Sequence, residues 1–176
     1  MTPDLNTRLA KIRLFLTDVD GVLTDGSFIV DEKSEFKRFN VLDGLGLKLL
    51  QLENIKVGWI SNRVSLATER RAKELKVDFL RQGKGDKTTV ARQILDQIGY
   101  KFEEVAYAGD DLIDLGLLQI VGVAFSVPGA VAEAKAEADY ITQARGGEGA
   151  IREMAEVILK AQNKWDAIVK RYSAEV

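Results

Sequence analysis

The sequence predicts an α/β protein built on a parallel sheet with helices on both faces. Short apolar runs recur along the chain, at Ile12 to Thr17, Lys56 to Ile60, Val77 to Arg81, Val105 to Ala108, Gly122 to Val127 and Ala138 to Ile141. Segments with helical spacing separate them, and strands that alternate with helices return to the sheet in parallel. Several runs stop abruptly at acids or hydroxyls, and the carboxyl ends of parallel strands are where ligands gather in such sheets.

Taken in order, residues 1–11 show no strong period and read as a lead-in. Ile12 to Thr17 is a buried strand, because it is short, apolar and closed by the turn signal Asp18-Val19-Asp20-Gly21. Phe28 to Val30 and Phe36 to Phe39 flank the charged stretch Asp31-Glu32-Lys33-Ser34-Glu35 and predict a β-hairpin over Gly26 to Asn40, which reads equally as a lid or subunit contact over the carboxylates and as an ordinary edge ribbon. Leu45, Leu49, Leu50 and Leu52 predict a helix to Asn54, with Asp43 as its N-cap. The strand from Lys56 ends in Ser61-Asn62-Arg63, a hydroxyl, an amide and a guanidinium suited to phosphate or polyol oxygens. A helix beginning at Ser65 or Thr68 carries Arg70, Arg71 and Lys73 on what reads as a solvated face. The turn Gly83 to Gly85 feeds a helix from Asp86 to Ile98, and Lys87 lies in its first turn, where a cation is disfavoured by the helix dipole unless an anion sits there. Ala130 to Glu137 is helical, and a last helix runs from Ala150 toward Tyr172 with a stripe of Trp165, Ile168, Val169 and Tyr172. The glycine-rich Arg145 to Gly149 must trace an unusual backbone path.

At 176 residues the chain fits one domain, residues 1–176, large enough to bury about two-thirds of its unfolded surface. With 46% apolar and 30% charged residues the composition is that of a soluble globular protein. A membrane span and a signal peptide are not expected, since no apolar run approaches the roughly 18 residues of a span. A cytoplasmic location follows as the expectation. The net charge of −2 and the scattered basic residues argue against nucleic-acid binding. The absence of both Cys and His excludes a thiolate nucleophile, a Ser-His-Asp triad and the preferred zinc ligands. Chemistry must then run on oxygen and cationic groups, and a metal held by oxygen alone is best matched by Mg²⁺.

Two acids at Asp18 and Asp20 on a strand end repel unless a cation lies between them. Taken alone, such a pair is more often two turn residues capping the next segment. A second acidic group, Gly109-Asp110-Asp111 with Asp114, closes a further strand and makes a shared cation site the stronger reading.

Asp18-Val19-Asp20-Gly21-Val22-Leu23-Thr24 resembles the first motif of the haloacid dehalogenase superfamily of phosphohydrolases, and Ser61, Lys87 and Gly109-Asp110-Asp111-x-x-Asp114 resemble the other three in order. With Phe39 to Gly46, Arg63 and Gly146 to Glu153, the chain is similar from about residue 12 to 160 to the capless 3-deoxy-D-manno-octulosonate 8-phosphate (KDO 8-phosphate) phosphatases. The resemblance implies a Rossmannoid three-layer α/β/α fold with a hairpin insertion and no cap domain. It implies Asp18 as nucleophile, Asp20 as acid and base, and Ser61 and Lys87 on the phosphoryl oxygens. Mg²⁺ would be bound by Asp18, the Asp20 carbonyl and Asp110, supported by Asp111 and Asp114. Asp20, Asn40, Val41, Leu42, Asp43, Gly44, Lys48, Asn62, Arg63, Arg71 and Lys87 would face a sugar phosphate. A homotetramer is implied in which neighbouring subunits complete each site. The chain departs from the family at Leu42 and Lys48, where Arg is frequent, and Arg-to-Lys at a bidentate contact is not conservative. Phosphatases of the nine-carbon 2-keto-3-deoxynonulosonate and sialic acid 9-phosphates therefore stay open as alternatives. So does a receiver-like signalling module, which holds an aspartyl phosphate on a similar sheet but is a switch rather than an enzyme.

Overall fold

The computed structural model describes residues 3–32 and 34–174. Met1, Thr2 and Lys33, for which a lead-in and part of the hairpin turn were expected, lie outside the described residues. The elements are α1 (Pro3–Leu9), β1 (Leu14–Thr17), β2 (Ile29–Val30), β3 (Glu35–Phe36), α2 (Val41–Leu52), β4 (Lys56–Ser61), α3 (Leu66–Leu75), β5 (Phe79–Gln82), α4 (Lys87–Ile98), β6 (Val105–Ala108), α5 (Leu115–Leu118), β7 (Val123–Ser126), α6 (Ala132–Glu137), β8 (Tyr140–Ile141), α7 (Ala150–Ala161) and α8 (Trp165–Ala174).

Among the described residues the main sheet has six strands in the order β5-β4-β1-β6-β7-β8, all parallel. All four residues of β1 are buried, as are all four of β6, because helices cover both faces. α1, α2 and α7 pack on one face and α4, α5 and α6 on the other. The chain runs outward from β1 through β4 to β5, then returns to the other side of β1 for β6 to β8. The topological switch point therefore lies between β1 and β6, which places Asp18 and Asp110 beside one another at a crevice. The second sheet is the β2-β3 hairpin, paired Ile29 with Phe36 and Val30 with Glu35.

Several boundaries differ from the sequence expectation. The lead-in is a helix whose Leu5 and Leu9 are buried in the core, seven residues or about two turns long and too short for periodicity to reveal. α2 begins at Val41, because the side chain of Asn40 caps it by accepting from the Leu42 N–H at 2.8 Å. Asp43 is not the cap but lies inside the first turn. α2 packs closely against α7 at Gly46, where a Cβ would stand 2.9 Å from the Arg152 Cα. The last helix is two, broken at Asn163, whose φ of 56° lies in the left-handed region. The preceding Gln162 turns its amide to the carbonyls of Leu9 and Ile12, at 3.3 and 2.8 Å, and so ties α7 to the start of β1.

Candidate active site

At the carboxyl end of β1, the Asp18 N–H donates to the Ala108 carbonyl on β6 at 2.9 Å, which continues the ladder and fixes the nucleophile candidate at the sheet edge. The Lys87 ammonium lies 2.9 Å from Asp18 Oδ1 and 2.6 Å from Asp114 Oδ1. Its side chain is only 1% exposed. The expected reason for a cation at the start of α4, an anion on the helix N-terminus, is replaced by these two acids. Asp86 caps α4 and accepts from the Thr89 N–H at 2.8 Å, leaving Lys87 free to point inward.

Asp114 is saturated. Its Oδ1 accepts from Lys87 and from the Tyr107 hydroxyl, and its Oδ2 accepts from the N–H groups of Asp110 and Asp111 at 2.9 and 3.0 Å. Through those two N–H groups it holds the loop that presents Asp110. Asp111 is exposed and accepts from the Leu112 N–H at 2.7 Å. Asp110 differs: its Oδ1 is buried with no hydrogen-bond partner. Gly21, at φ 101°, lies so close that a Cβ there would meet Asp110 Oδ2 at 2.0 Å.

Carboxylate oxygens of Asp18, Asp110 and Asp114 lie within 4.8 Å of one another. Burial, then the charge of Asp114, pushes the Asp18 carboxyl up to about 6 against the pull of Lys87. Burial and the charges of Asp18 and Asp114 push Asp110 up to about 7. Three clustered acids against one ammonium leave an excess of negative charge that a divalent cation offsets. An oxygen-only donor set with an orphaned carboxylate oxygen fits Mg²⁺, whose ligands stand at about 2.1 Å. The Asp20 carbonyl accepts no hydrogen bond from the described residues, so it too is available.

The raised carboxyls set a pH dependence. The folded state keeps protons on Asp18 and Asp110 that the unfolded chain has released, so the contribution of these two groups to metal-free stability is greatest at low pH and falls as pH rises toward about 7. Mg²⁺ needs the carboxylates and restores what was lost. The rise in melting temperature on adding Mg²⁺ should thus be small at about pH 5 and several degrees larger at about pH 8. An equal rise at both would contradict this account of the cluster.

The remaining expected residues divide. The Asp20 carboxylate is held by Lys37, which sequence reading did not single out, at 2.6 and 2.8 Å. Ser61 is buried at the end of β4, and its hydroxyl accepts from the Arg63 N–H at 3.1 Å. Asn62 is half-buried beside it. Arg63 pairs with Glu35 and lies over the Phe28 ring at 3.8 Å, both from the hairpin segment. Arg71 is not solvated as expected: its side chain is 18% exposed and pairs with Glu74 at 2.9 Å, and it lies against Gly44, where a Cβ would meet Nη2 at 2.5 Å. Val41 and Leu42 are exposed at the start of α2, and Lys48 is half-buried on it. No hydrogen bond or ion pair among the described residues joins Lys48, Arg63 or Arg71 to the acid cluster.

Asp43 corrects the expectation that its side chain faces a substrate. It is 1% exposed, and its oxygens accept from the N–H groups of Arg152 and Gly149 at 2.9 and 3.3 Å. It caps α7 from α2, where Gly149 has no side chain to do so. Asn40 Nδ2 reaches the Gly147 carbonyl at 3.3 Å, and the Gly147 N–H donates to Val22 at 3.0 Å. Gly146 sits so tightly on the first loop that a Cβ would meet the Gly21 carbonyl oxygen at 1.8 Å. The unusual path of the glycine-rich stretch is thus a brace on the Asp18 to Asp25 loop.

Comparison with known proteins resolves the family. The profile of the haloacid dehalogenase-like hydrolases matches residues 51–154. The 3-deoxy-D-manno-octulosonate 8-phosphate phosphatase KdsC of Haemophilus influenzae is 39% identical over 161 residues, 91% of this chain and 89% of that protein. The chain belongs to the KdsC phosphatase family. The KdsC of Yersinia pestis is 40% identical over 162 residues, 92% of this chain and 87% of that protein. The crystal structure of the Moraxella catarrhalis phosphatase in complex with magnesium ion, phosphate ion and KDO superposes with a TM-score of 0.95 at 40% identity, covering 98% of this chain and 99% of that one. A cobalt-bound form of the Haemophilus influenzae phosphatase superposes at 0.86 with 40% identity, covering 89% and 92%. As a KdsC-family chain, it has the expected capless Rossmannoid sheet: only the hairpin and α2 lie between β1 and β4. Among the described residues no helix is long and apolar enough to cross a membrane.

Proposed function

We propose that the protein is a Mg²⁺-dependent phosphatase that hydrolyses KDO 8-phosphate to KDO and phosphate through an aspartyl phosphate on Asp18. The observation that carries this reading is the Lys87-bridged pair Asp18 and Asp114 next to an orphaned Asp110 oxygen at the β1/β6 switch point, in a chain that superposes over nearly its whole length on a KDO- and phosphate-bound relative. Asp18, Asp110 and the Asp20 carbonyl would hold Mg²⁺, which when bound supplies positive charge against the phosphoryl dianion.

The chain's own residues account for the rest. Asp18 Oδ attacks phosphorus, and the bond from phosphorus to the sugar oxygen breaks with its electron pair leaving on that oxygen. Asp20 gives its proton to the departing oxygen, then accepts one from the water that attacks the aspartyl phosphate. Lys87, rigidly seated between two acids, balances charge beside the equatorial oxygens, and Ser61 lies at the neighbouring strand end to hold one of them. On the family resemblance, Arg63 and Arg71 would meet the sugar acid, each exchanging its present partner, Glu35 or Glu74, for it.

The exposed apolar hairpin side chains, Ile29 at 71% and Phe36 at 58%, favour burial by neighbouring subunits, and we infer that the active form is a homotetramer with shared sites. The test is turnover of KDO 8-phosphate, the two nine-carbon keto-acid 9-phosphates and simple sugar phosphates, with Mg²⁺ and with EDTA. KDO 8-phosphate should lead by about tenfold or more in kcat/KM, with activity lost in EDTA. Preference for a nine-carbon ester would move the substrate assignment, and stoichiometric phosphorylation without turnover would replace the enzyme with a receiver-like switch.

A further inference from the structure

Lys37 is one of the most deeply buried cations in the molecule, and the reaction as derived above does not use it. Its side chain is 0% exposed, and its ammonium chelates both oxygens of Asp20, with Thr68 Oγ1 at 3.4 Å as the third contact. No other hydrogen bond to the Asp20 carboxylate occurs among the described residues. The chain on either side of Lys37 is anchored. Phe39 stacks on the buried Trp59 at 6.1 Å and 13°, Asn40 caps α2, and Glu35, two residues before Lys37 and so on the same face of an extended strand, pairs with Arg63. The extended segment 35–37 therefore delivers alternate charges to two groups of the candidate site. Burying an ammonium costs several kcal/mol unless its partner is well placed, and a surface tie between hairpin and domain does not need one.

We propose that Lys37 is the positioning residue for proton transfer by Asp20. This rests on the phosphatase reading. Asp20, whose side chain is 23% exposed, takes a proton from solvent as the phosphate ester enters and passes it to the sugar oxygen as that oxygen departs with its electron pair, leaving again the carboxylate that the ammonium chelates. Lys37 thus fixes where the carboxyl points and stabilises the anion at the moment it forms. A phosphate ester of an alkyl alcohol, such as a sugar, needs that proton; an ester of p-nitrophenol, whose anion is a good leaving group, does not.

The experiment compares kcat/KM, which covers steps only through departure of the alcohol, for KDO 8-phosphate and p-nitrophenyl phosphate in parent, Lys37→Met, Lys37→Arg, Asp20→Asn and Lys37→Met/Asp20→Asn proteins with saturating Mg²⁺. The expected result is a loss of about 100-fold for Lys37→Met on the sugar phosphate and of no more than about fivefold on the aryl ester. Lys37→Arg should recover part of the sugar-phosphate activity, and the double variant should be within about threefold of Asp20→Asn alone. Equal losses on both esters, or independent losses that multiply in the double variant, overturn the assignment and make Lys37 a structural tie. Should Lys37→Met fail to fold, the Lys37→Arg ratio of the two esters decides, since a structural tie leaves that ratio at the parent value. A parent protein inert toward both esters overturns the phosphatase reading itself, whereas an active parent with ester-independent losses overturns Lys37 alone.

Discussion

Asp18→Asn will abolish turnover, with a loss of about 10⁴-fold or more, while the protein stays folded. The size follows from removing the atom that forms the covalent bond, since loss of a nucleophile elsewhere costs about 10⁶-fold and leaves only positioning and charge stabilisation behind. The fold survives because asparagine keeps the shape of the side chain and an oxygen for Lys87, which retains Asp114 at 2.6 Å. Without metal the variant should melt no lower than the parent, because one of three mutually repelling buried acids has become neutral. Steady-state phosphate release and thermal melts check both halves. Activity within about tenfold of the parent would remove Asp18 as the attacking group.

Lys87→Met should be the most damaging single change to stability in the site. Among the described residues the ammonium is the one cation that contacts both Asp18 and Asp114, and its removal leaves those acids and Asp110 together with no described counter-charge in contact. Breaking a buried pair by deleting one partner costs about 3–5 kcal/mol. The sign with pH is fixed: the stranded carboxyls can relieve the cost by taking up protons, so the melting temperature should fall little near pH 5 and much more near pH 8. Saturating Mg²⁺ should recover part of that loss, since it supplies charge at the same place. Turnover at neutral pH should fall by about 10³-fold, in line with removing a fixed charge beside a transferring group. A neutral-pH melt equal to the parent's would mean that the acids are already protonated or solvated, against the burial that surrounds them.

What the sequence could convey depended on how local the signal was. Asp18 and Asp20 stood out because an apolar strand ended in them, and Asp110 to Asp114 because a second strand did the same. β4, β5, β7 and α4 were legible for the same reason: each pairs a short periodic run with a turn residue. α1 was missed because seven residues hold too few apolar positions to show a period. Asp43 reads as a cap for its own helix because the N–H groups that donate to it lie over a hundred residues away, at Gly149 and Arg152. The break at Asn163 is a left-handed residue within an otherwise helical composition, a choice made by packing rather than propensity. Arg71 read as solvated because a helix face rich in Arg and Lys usually is, and only Gly44 on α2 makes room for its guanidinium. Lys37 was hidden by the same charged hairpin that buries it. The one available signal was the alternation of Glu35 and Lys37 along a strand whose period is two.

The lodging of Gly146 against the Gly21 carbonyl joins the loop that follows β1 to a turn encoded more than a hundred residues later. A chain ending after β8 would own every described strand of the sheet, Asp18 and the acid cluster, yet lack the strut that seats the 18–25 segment. The seat of the 18–25 segment is therefore completed by residues that follow the last strand of the sheet.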